Sequence, residues 1–367
     1  MTTWFSASAV IPQLRDDWSM SSSTAAWLTI AVQLGFVGGA VVSSLLNLAD
    51  VFSPRLVILG GATGAAAANL GLVAAGGPEA GIPLRLATGF FLAGVYPSAL
   101  KLMATWFRAN RGVALGILIG ALTLGSAGPH LVNGLGGLDW RLVVYVTSGL
   151  TVAGGVLASA GVREGPYPFP RAPFDPRQAR LVFANRGVRL TSLGYFGHMW
   201  ELYAMWAWFL VFFSNGLGVG RMHAALATFA VIAAGAPGCA LAGVLGDRWG
   251  REQTTVLAMA VSGTCALSIG LLVDASPWLV LAVGLVWGFA VVADSAQFST
   301  LVTEHAEQAY VGTALTAQLA LGFTLTVVTI WLIPMLAGWV GWRYAFAFLA
   351  PGPALGIVAM LRLARAP

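Results

Sequence analysis

Eleven long apolar runs separated by short polar stretches organise this chain. They fall near residues 24–46, 56–76, 83–106, 112–134, 141–162, 188–213, 222–245, 254–273, 277–301, 310–335 and 342–363. Each approaches or exceeds the roughly 20 residues that a helix needs to cross the hydrocarbon core of a bilayer. The stretch Met1 to Leu14 is also apolar but too short to cross, and polar Arg15-Asp16-Asp17 follows it as a loop would. It lacks the basic start of a secretory signal. It reads as the second half of a first helix, so the pattern predicts twelve helices, the first incomplete in the chain as written.

The polar punctuation repeats. Leu46-Asn-Leu-Ala-Asp50-Val-Phe-Ser-Pro-Arg55 is echoed by Gly243-Val-Leu-Gly-Asp247-Arg248-Trp-Gly250-Arg251, with Asp247 lying 197 residues after Asp50. Trp140-Arg141 returns as Trp342-Arg343, and Gly112 with its apolar run returns at Gly312. Three matches in one order at nearly one spacing predict two homologous halves, each with its Asp after the second helix. Two halves facing each other in a membrane are how many transporters build a site near the bilayer midplane.

Composition agrees with the pattern. Of 367 residues, 58% are hydrophobic and 9% charged, with a mean hydropathy of +0.81. A water-soluble domain carries about 25% charged residues, so lipid must be the solvent. The net charge of +5 is spread over short loops, which argues against nucleic acid as a partner. Cys239 and Cys265 both fall inside predicted spans, which excludes a disulfide framework. The four histidines show no metal-ligand spacing. No phosphate loop, nucleophile elbow or zinc motif is present, so neither an enzyme nor a cofactor is expected.

Lys and Arg fix the expected orientation. Alternating the loops places fourteen of them on the side of the Asp50 loop and five on the other. The first side, with the C-terminus, is therefore predicted to be cytoplasmic. Residues 163–187, with five prolines, read as a cytoplasmic linker between an N-terminal bundle (1–162) and a C-terminal bundle (188–367).

Gly243-x-Leu-x-Asp247-Arg248-x-Gly250-Arg251 resembles the loop motif between the second and third helix of each half in the major facilitator superfamily. The Asp50 copy is degenerate, matching only at Leu-Ala-Asp50 and Arg55. Arg85-x-x-x-Gly89 resembles that family's fourth-helix motif, and Gly-Trp-Arg343 at the last helix is also common in it. The resemblance covers nearly the whole chain. It implies an all-α membrane fold of two six-helix bundles, related by a pseudo-two-fold axis, that rock about a central cavity lined by the first, fourth, seventh and tenth helices.

In that setting Asp50, Arg55, Asp247, Arg248 and Arg251 are candidates for a cytoplasmic gate; the alternative is that the arginines only enforce topology. Gly112, Gly116 and Gly120 lie four apart on one helix face, as do Gly235, Cys239 and Gly243, and Gly35, Gly39 and Ser43. Small residues at this spacing allow close helix packing, either between the halves or within one.

An ionisable group at mid-bilayer costs at least about 2.5–3.5 kcal/mol on insertion scales. Tyr195, His198 and Glu201 recur at i, i+3 and i+6 on the seventh helix; Asp294, Ser295 and Gln297 sit on the tenth. Glu201 is the leading candidate for a proton carrier, with a structural pair to His198 as the alternative. Tyr195, His198, Asp294 and Gln297 are candidates for the substrate or proton pathway. Arg85, read as near the outer end of its helix, either steers an anion or marks the boundary. Pro97 reads as a mid-helix gating kink.

The sequence thus predicts a monomeric, multi-pass secondary transporter of the bacterial cytoplasmic membrane, moving a small solute by alternating access with protons. The competing readings are a proton-coupled drug or metabolite exporter and a transport-inactive membrane sensor.

Overall fold

The computed structural model describes residues 1–46, 48–107, 111–137, 139–167, 183–307 and 311–365, without the side chains of Ala49, Asp50, Ala104 and Arg111. Among these residues the regular structure is helical. After a short helix, α1 (Ile11–Asp17), come α2 (Ser22–Leu45), α3 (Pro54–Ala74), α4 (Pro78–Met103), α5 (Gly112–Leu135) and α6 (Trp140–Gly161). The second set is α7 (Arg186–Val211), α8 (Arg221–Trp249), α9 (Arg251–Leu272), α10 (Pro277–His305), α11 (Val311–Val340) and α12 (Trp342–Ala364). Ten of these are long and apolar enough to cross a membrane. At 26 residues α7 is also long enough, about 39 Å at 1.5 Å per residue, but it holds Arg186, Arg189, His198 and Glu201.

Local chemistry sets the helix starts. Ser21 caps α2 by accepting from Thr24 N at 3.1 Å, Asn185 caps α7 from Val188 N at 3.1 Å, and Asp139 caps α6 from Arg141 N at 2.9 Å. Pro54, Pro78 and Pro277 open α3, α4 and α10, where a missing N–H costs nothing. Gly250, at φ +102°, makes the sharp junction from α8 to α9 that the loop motif requires.

Three departures from the sequence expectations have physical causes. Residues 1–7 form turns rather than a helix, and the polar Arg15-Asp16-Asp17 ends α1 instead of forming a loop. Helix α4 starts five residues before the expected 83, because Pro83 sits inside it and Pro78 is the opener. Pro97 does not kink a continuous helix. Helix α4 is interrupted at 93–95, and Pro97 lies in the first turn of the second segment, Tyr96–Ala104, where proline is tolerated.

Helix α10 is interrupted in the same way, between Pro277–Val291 and Ser295–His305. The two breaks lie in corresponding places of the two halves. Within the first half α2 packs on α4 and α3 on α6; within the second α7 packs on α12 and α11, and α9 on α12. Across the halves, α5 packs on α8 and α2 on α11. Of the expected linker, 168–182 lie outside the described residues; its start is tied to the end of α4 by Tyr167 N donating to Thr105 O at 3.0 Å.

Candidate functional site

The seam between α5 and α8 is built from the two glycine faces. A methyl group on Gly116 would stand 2.5 Å from Cys239 O, one on Gly120 3.0 Å from Ala236 O, and one on Gly243 2.6 Å from Gly112 O. Any side chain there would force the halves apart. Gly235 is equally crowded, by Gly288 O at 2.9 Å and Thr123 Cγ2 at 3.0 Å. Gly35 and Gly39 instead receive the backbone of α4, within the N-terminal half.

At the linker end of this seam, Asp247 Oδ2 accepts from Val113 N in the first turn of α5 at 3.3 Å. The carboxylate thus meets the positive end of a helix dipole in the opposite half. Arg251 holds it in place: Nη1 lies 3.3 Å from Asp247 Oδ1 and donates to Gln297 Oε1 at 3.2 Å, while Nε donates to Glu304 Oε1 at 3.0 Å. Gln297 Nε2 donates in turn to Ala242 O at 3.0 Å. Arg55 and Arg248 are exposed, and the side chain of Asp50 lies outside the described residues. Gln297, expected on the substrate pathway, is part of this linker-end network. It lies two residues past Ser295 and so about 200° around the helix from the cavity.

Between the halves lies a cavity of about 40 Å³, room for a few water molecules. Trp4, Tyr96, Ile119 and Leu122 line it from the first half; Tyr195, His198, Leu202, Tyr203, Trp206, Ser295 and Phe323 line it from the second. The breaks in α4 and α10 deliver Tyr96 and Ser295 to it. The rings form a continuous cluster: Phe36 to Phe323 at 4.6 Å, Trp4 to Phe36 at 4.9 Å, and Tyr203 to Phe323 at 5.1 Å. The buried indole N–H groups of Trp4 and Trp206 have no hydrogen-bond acceptor.

His198 is the imidazole among the lining residues, beside the phenols of Tyr96, Tyr195 and Tyr203. Its Nε2 lies 2.9 Å from Ser295 Oγ. Its Nδ1 lies 2.8 Å from Asp294 Oδ1, without the geometry of a directed hydrogen bond. Both residues are 2% exposed. Asp294 stands behind His198, at the end of the α10 break.

Glu201 is not among the lining residues. Its Oε2 accepts from Ser262 Oγ at 2.9 Å and its Oε1 from Trp287 Nε1 at 2.7 Å. It therefore faces α9 and α10 inside the second half. Helical geometry explains this: three residues advance about 300°, so Glu201 is turned about 120° from Tyr195. The i, i+3, i+6 spacing brings Tyr195 and His198 to the cavity but carries Glu201 away from it.

Arg85 is fully buried rather than at an outer boundary. Its Nε donates to Leu28 O at 3.2 Å, and its Nη1 to Thr3 O at 2.8 Å, Ser6 Oγ at 3.1 Å and Asn69 Oδ1 at 3.1 Å; Nη2 donates to Trp4 O. The guanidinium takes up the carbonyls that the non-helical turn at 1–7 leaves free, and so positions Trp4 over the cavity. Asn69 was not anticipated; its only signal was an amide inside an apolar run. Phe323 carried no signal, as one apolar residue among many in α11.

A helical membrane protein with two such halves, a seam of glycines and a cavity between the halves has the architecture of a solute transporter. Residues 1–325 match the sequence model of the Major Facilitator Superfamily, and the chain belongs to that family of membrane transporters. It is similar to the puromycin resistance protein pur8 of Streptomyces alboniger, 32% identical over 143 residues, covering 38% of this chain and 28% of that protein. It is also similar to the gallate transporter of Pseudomonas putida, 24% identical over 317 residues, covering 75% of this chain and 68% of that protein. The chain thus spans little more than a quarter of the first relative and about two thirds of the second. The crystal structure of a D-xylose-proton symporter shares the fold, with a TM-score of 0.76 at 15% identity over 99% of this chain and 94% of that one.

Proposed function

We propose that the protein is a monomeric, proton-coupled secondary transporter carrying a small aromatic organic anion across the bacterial cytoplasmic membrane by alternating access. The observation that carries this reading is the pairing of an aromatic cavity wall with one titratable pair, His198 and Asp294. Flat rings suit a flat ligand once rocking of the halves widens the roughly 40 Å³ space between them, with stacking worth about 0.5–1.5 kcal/mol per pair beyond burial. The unpaired indole N–H groups of Trp4 and Trp206 suit an acceptor such as a carboxylate. The Pseudomonas relative is named for gallate, itself an aromatic carboxylate.

The coupling follows from charge. With His198 neutral and Asp294 ionised, the pair carries one negative charge and repels an organic anion. With one proton added the pair is neutral and offers an N–H donor, so the proton must precede the substrate. Glu201, already accepting two hydrogen bonds inside its own half, serves in this reading to tie α7 to α9 and α10. The excess of Lys and Arg on the linker face supports a cytoplasmic linker and C-terminus. No step requires a cofactor or enzyme chemistry. The latch of Asp247 on α5 closes the cytoplasmic side, and rocking of the halves along the glycine seam releases it.

The test is uptake of labelled benzoate into proteoliposomes under an imposed proton gradient. The expected result is accumulation that a protonophore collapses and that His198→Ala abolishes while exchange persists. Accumulation that is indifferent to the gradient would remove the coupling. The 143-residue similarity to a resistance protein favours drug export as a second reading. Proton-driven movement of puromycin, with benzoate not moved, would decide for it.

A further inference from the structure

On the face away from the linker, a cleft of about 270 Å³ opens along the seam between the halves. Ile11, Pro12, Arg15 and Asp16 of α1 form one wall, and Asn215 and Arg221 the other. Its size lies just below the roughly 300 Å³ at which small-molecule pockets begin, enough for one ring bearing one charged group. Helix α7 ends there in a π-helical turn, Phe212–Gly216. Such turns shift the register of side chains and recur at functional sites; here the turn brings Asn215 to the cleft. Ser214 Oγ donates to Asn215 Oδ1 at 3.0 Å, leaving the amide NH2 as a donor.

Two guanidinium groups share this cleft. Arg221 Nη1 lies 2.8 Å from Asp16 Oδ2, and Arg15 Nε donates to Met20 O at 3.3 Å. A guanidinium has five N–H donors in a fork that matches a carboxylate, so each retains donors for a ligand. Arg221 belongs to the second half and Asp16 to the first. Among the described residues theirs is the side-chain ion pair that joins the halves; the other pairs each lie within one half. Both side chains are about half exposed, at 47% and 62%, and such a pair adds little stability by itself. A competing carboxylate can therefore replace Asp16 at small cost.

We propose that this cleft is an entry site for the carboxylate of the transported anion, which takes Arg221 from Asp16 and so unfastens the seam on this face. Arg15 and the Asn215 amide complete the anion's shell. The proposal rests on the aromatic-anion reading above. It makes arrival of the substrate the event that opens the path to the central cavity.

The two partners of the pair then have opposite roles, and this is what the test reads. Initial rates of benzoate uptake are measured in right-side-out vesicles for wild type, Asp16→Asn and Arg221→Gln. Removing the internal competitor in Asp16→Asn is expected to lower KM several-fold. Removing the receptor in Arg221→Gln is expected to raise KM about tenfold or more, the loss of a charged hydrogen bond, with the maximal rate within about twofold of wild type. If the pair were only a fastener, both variants would shift KM in the same direction, and that result overturns the entry site while leaving the substrate class standing. A wild-type protein that moves no benzoate overturns both. A cleft that binds lipid headgroups instead would show the Arg221→Gln effect only in vesicles containing phosphatidylglycerol and not in pure phosphatidylcholine, which also overturns the proposal.

Discussion

The breaks in α4 and α10 are the same backbone device used with opposite chemistry. In α4 the chain leaves the helix at 93–95 and re-enters at Tyr96; in α10 it leaves at 292–294 and re-enters at Ser295. Each break delivers one polar residue to the cavity. The first has Val95 where the second has Asp294. In the first half the buried charge is Arg85, about two turns before the break, and it is held by neutral backbone carbonyls and a side-chain amide. In the second the buried acid at the break is Asp294, beside a histidine that faces the cavity. An arginine among carbonyls has no proton to exchange and serves as a scaffold. A histidine–aspartate pair has one to gain or lose and can act as a switch. Under the proposed coupling, the first half supplies rigidity and the second the proton chemistry.

The largest expected effect breaks the scaffold. Arg85→Leu leaves the Trp4 carbonyl without its donor and takes one of two donors from Thr3 O and Asn69 Oδ1, which keep Ser6 Oγ. An unsatisfied buried group costs about 1–3 kcal/mol and a hydrogen bond to a charged group is worth about 1.5–3 kcal/mol, so a loss on the order of 3 kcal/mol is predicted. The measurement is the thermal midpoint of the purified protein in detergent. Arg85→Lys, with three donors rather than five, should recover part of it. A midpoint for Arg85→Leu equal to wild type would show that the turn at residues 1–7 does not depend on this anchor.

Next comes the switch. Asp294→Asn removes the negative charge behind His198, so the pair no longer repels an anion in its unprotonated state. Benzoate accumulation under a proton gradient is predicted to fall at least about tenfold, equivalent to 1.4 kcal/mol, with counterflow exchange preserved. Glu201→Gln sharpens the comparison inside the same half. The amide oxygen can still accept from Trp287 or Ser262, so accumulation should stay within about threefold of wild type. If Glu201→Gln abolishes accumulation and Asp294→Asn does not, the proton carrier is Glu201.

These predictions mark where the sequence was legible. The spans, the two halves and the α5–α8 glycine faces could be read because each rests on a period: about 20 residues for a span, 200 for the repeat, four for the faces. The placement of Asp247 against α5 could be read because its motif is local. The cavity could be read only in part. Tyr195 and His198 follow from spacing on one helix, but Glu201 shows that spacing misleads when the drift of a helix face is neglected. The role of Arg85 was not legible, because its partners are backbone atoms in a turn formed by an apolar segment with no turn residues. The Arg221–Asp16 contact joins positions 205 residues apart and leaves no pattern in either loop.

The smallest effect concerns the latch, and it also tests whether the Asp247 motif does more than set orientation. Asp247→Asn keeps the shape of the side chain and its acceptor oxygen for Val113 N, but removes the charge that faces the α5 dipole and Arg251. A carboxylate at a helix N-terminus is worth about 0.3–1 kcal/mol, a factor of roughly two to five in the balance between closed and open linker-side states. We predict that Asp247→Asn inserts normally, transports two- to fivefold more slowly, and shows greater labelling of a cysteine placed at Gly112, where an added Cβ would stand 2.5 Å from Asp247 Oδ1. That cysteine by itself perturbs the latch, so the comparison is between Gly112→Cys alone and Gly112→Cys with Asp247→Asn. Equal labelling in the two backgrounds, with wild-type uptake by Asp247→Asn, would mean that the glycine seam alone closes this side and that the motif serves orientation.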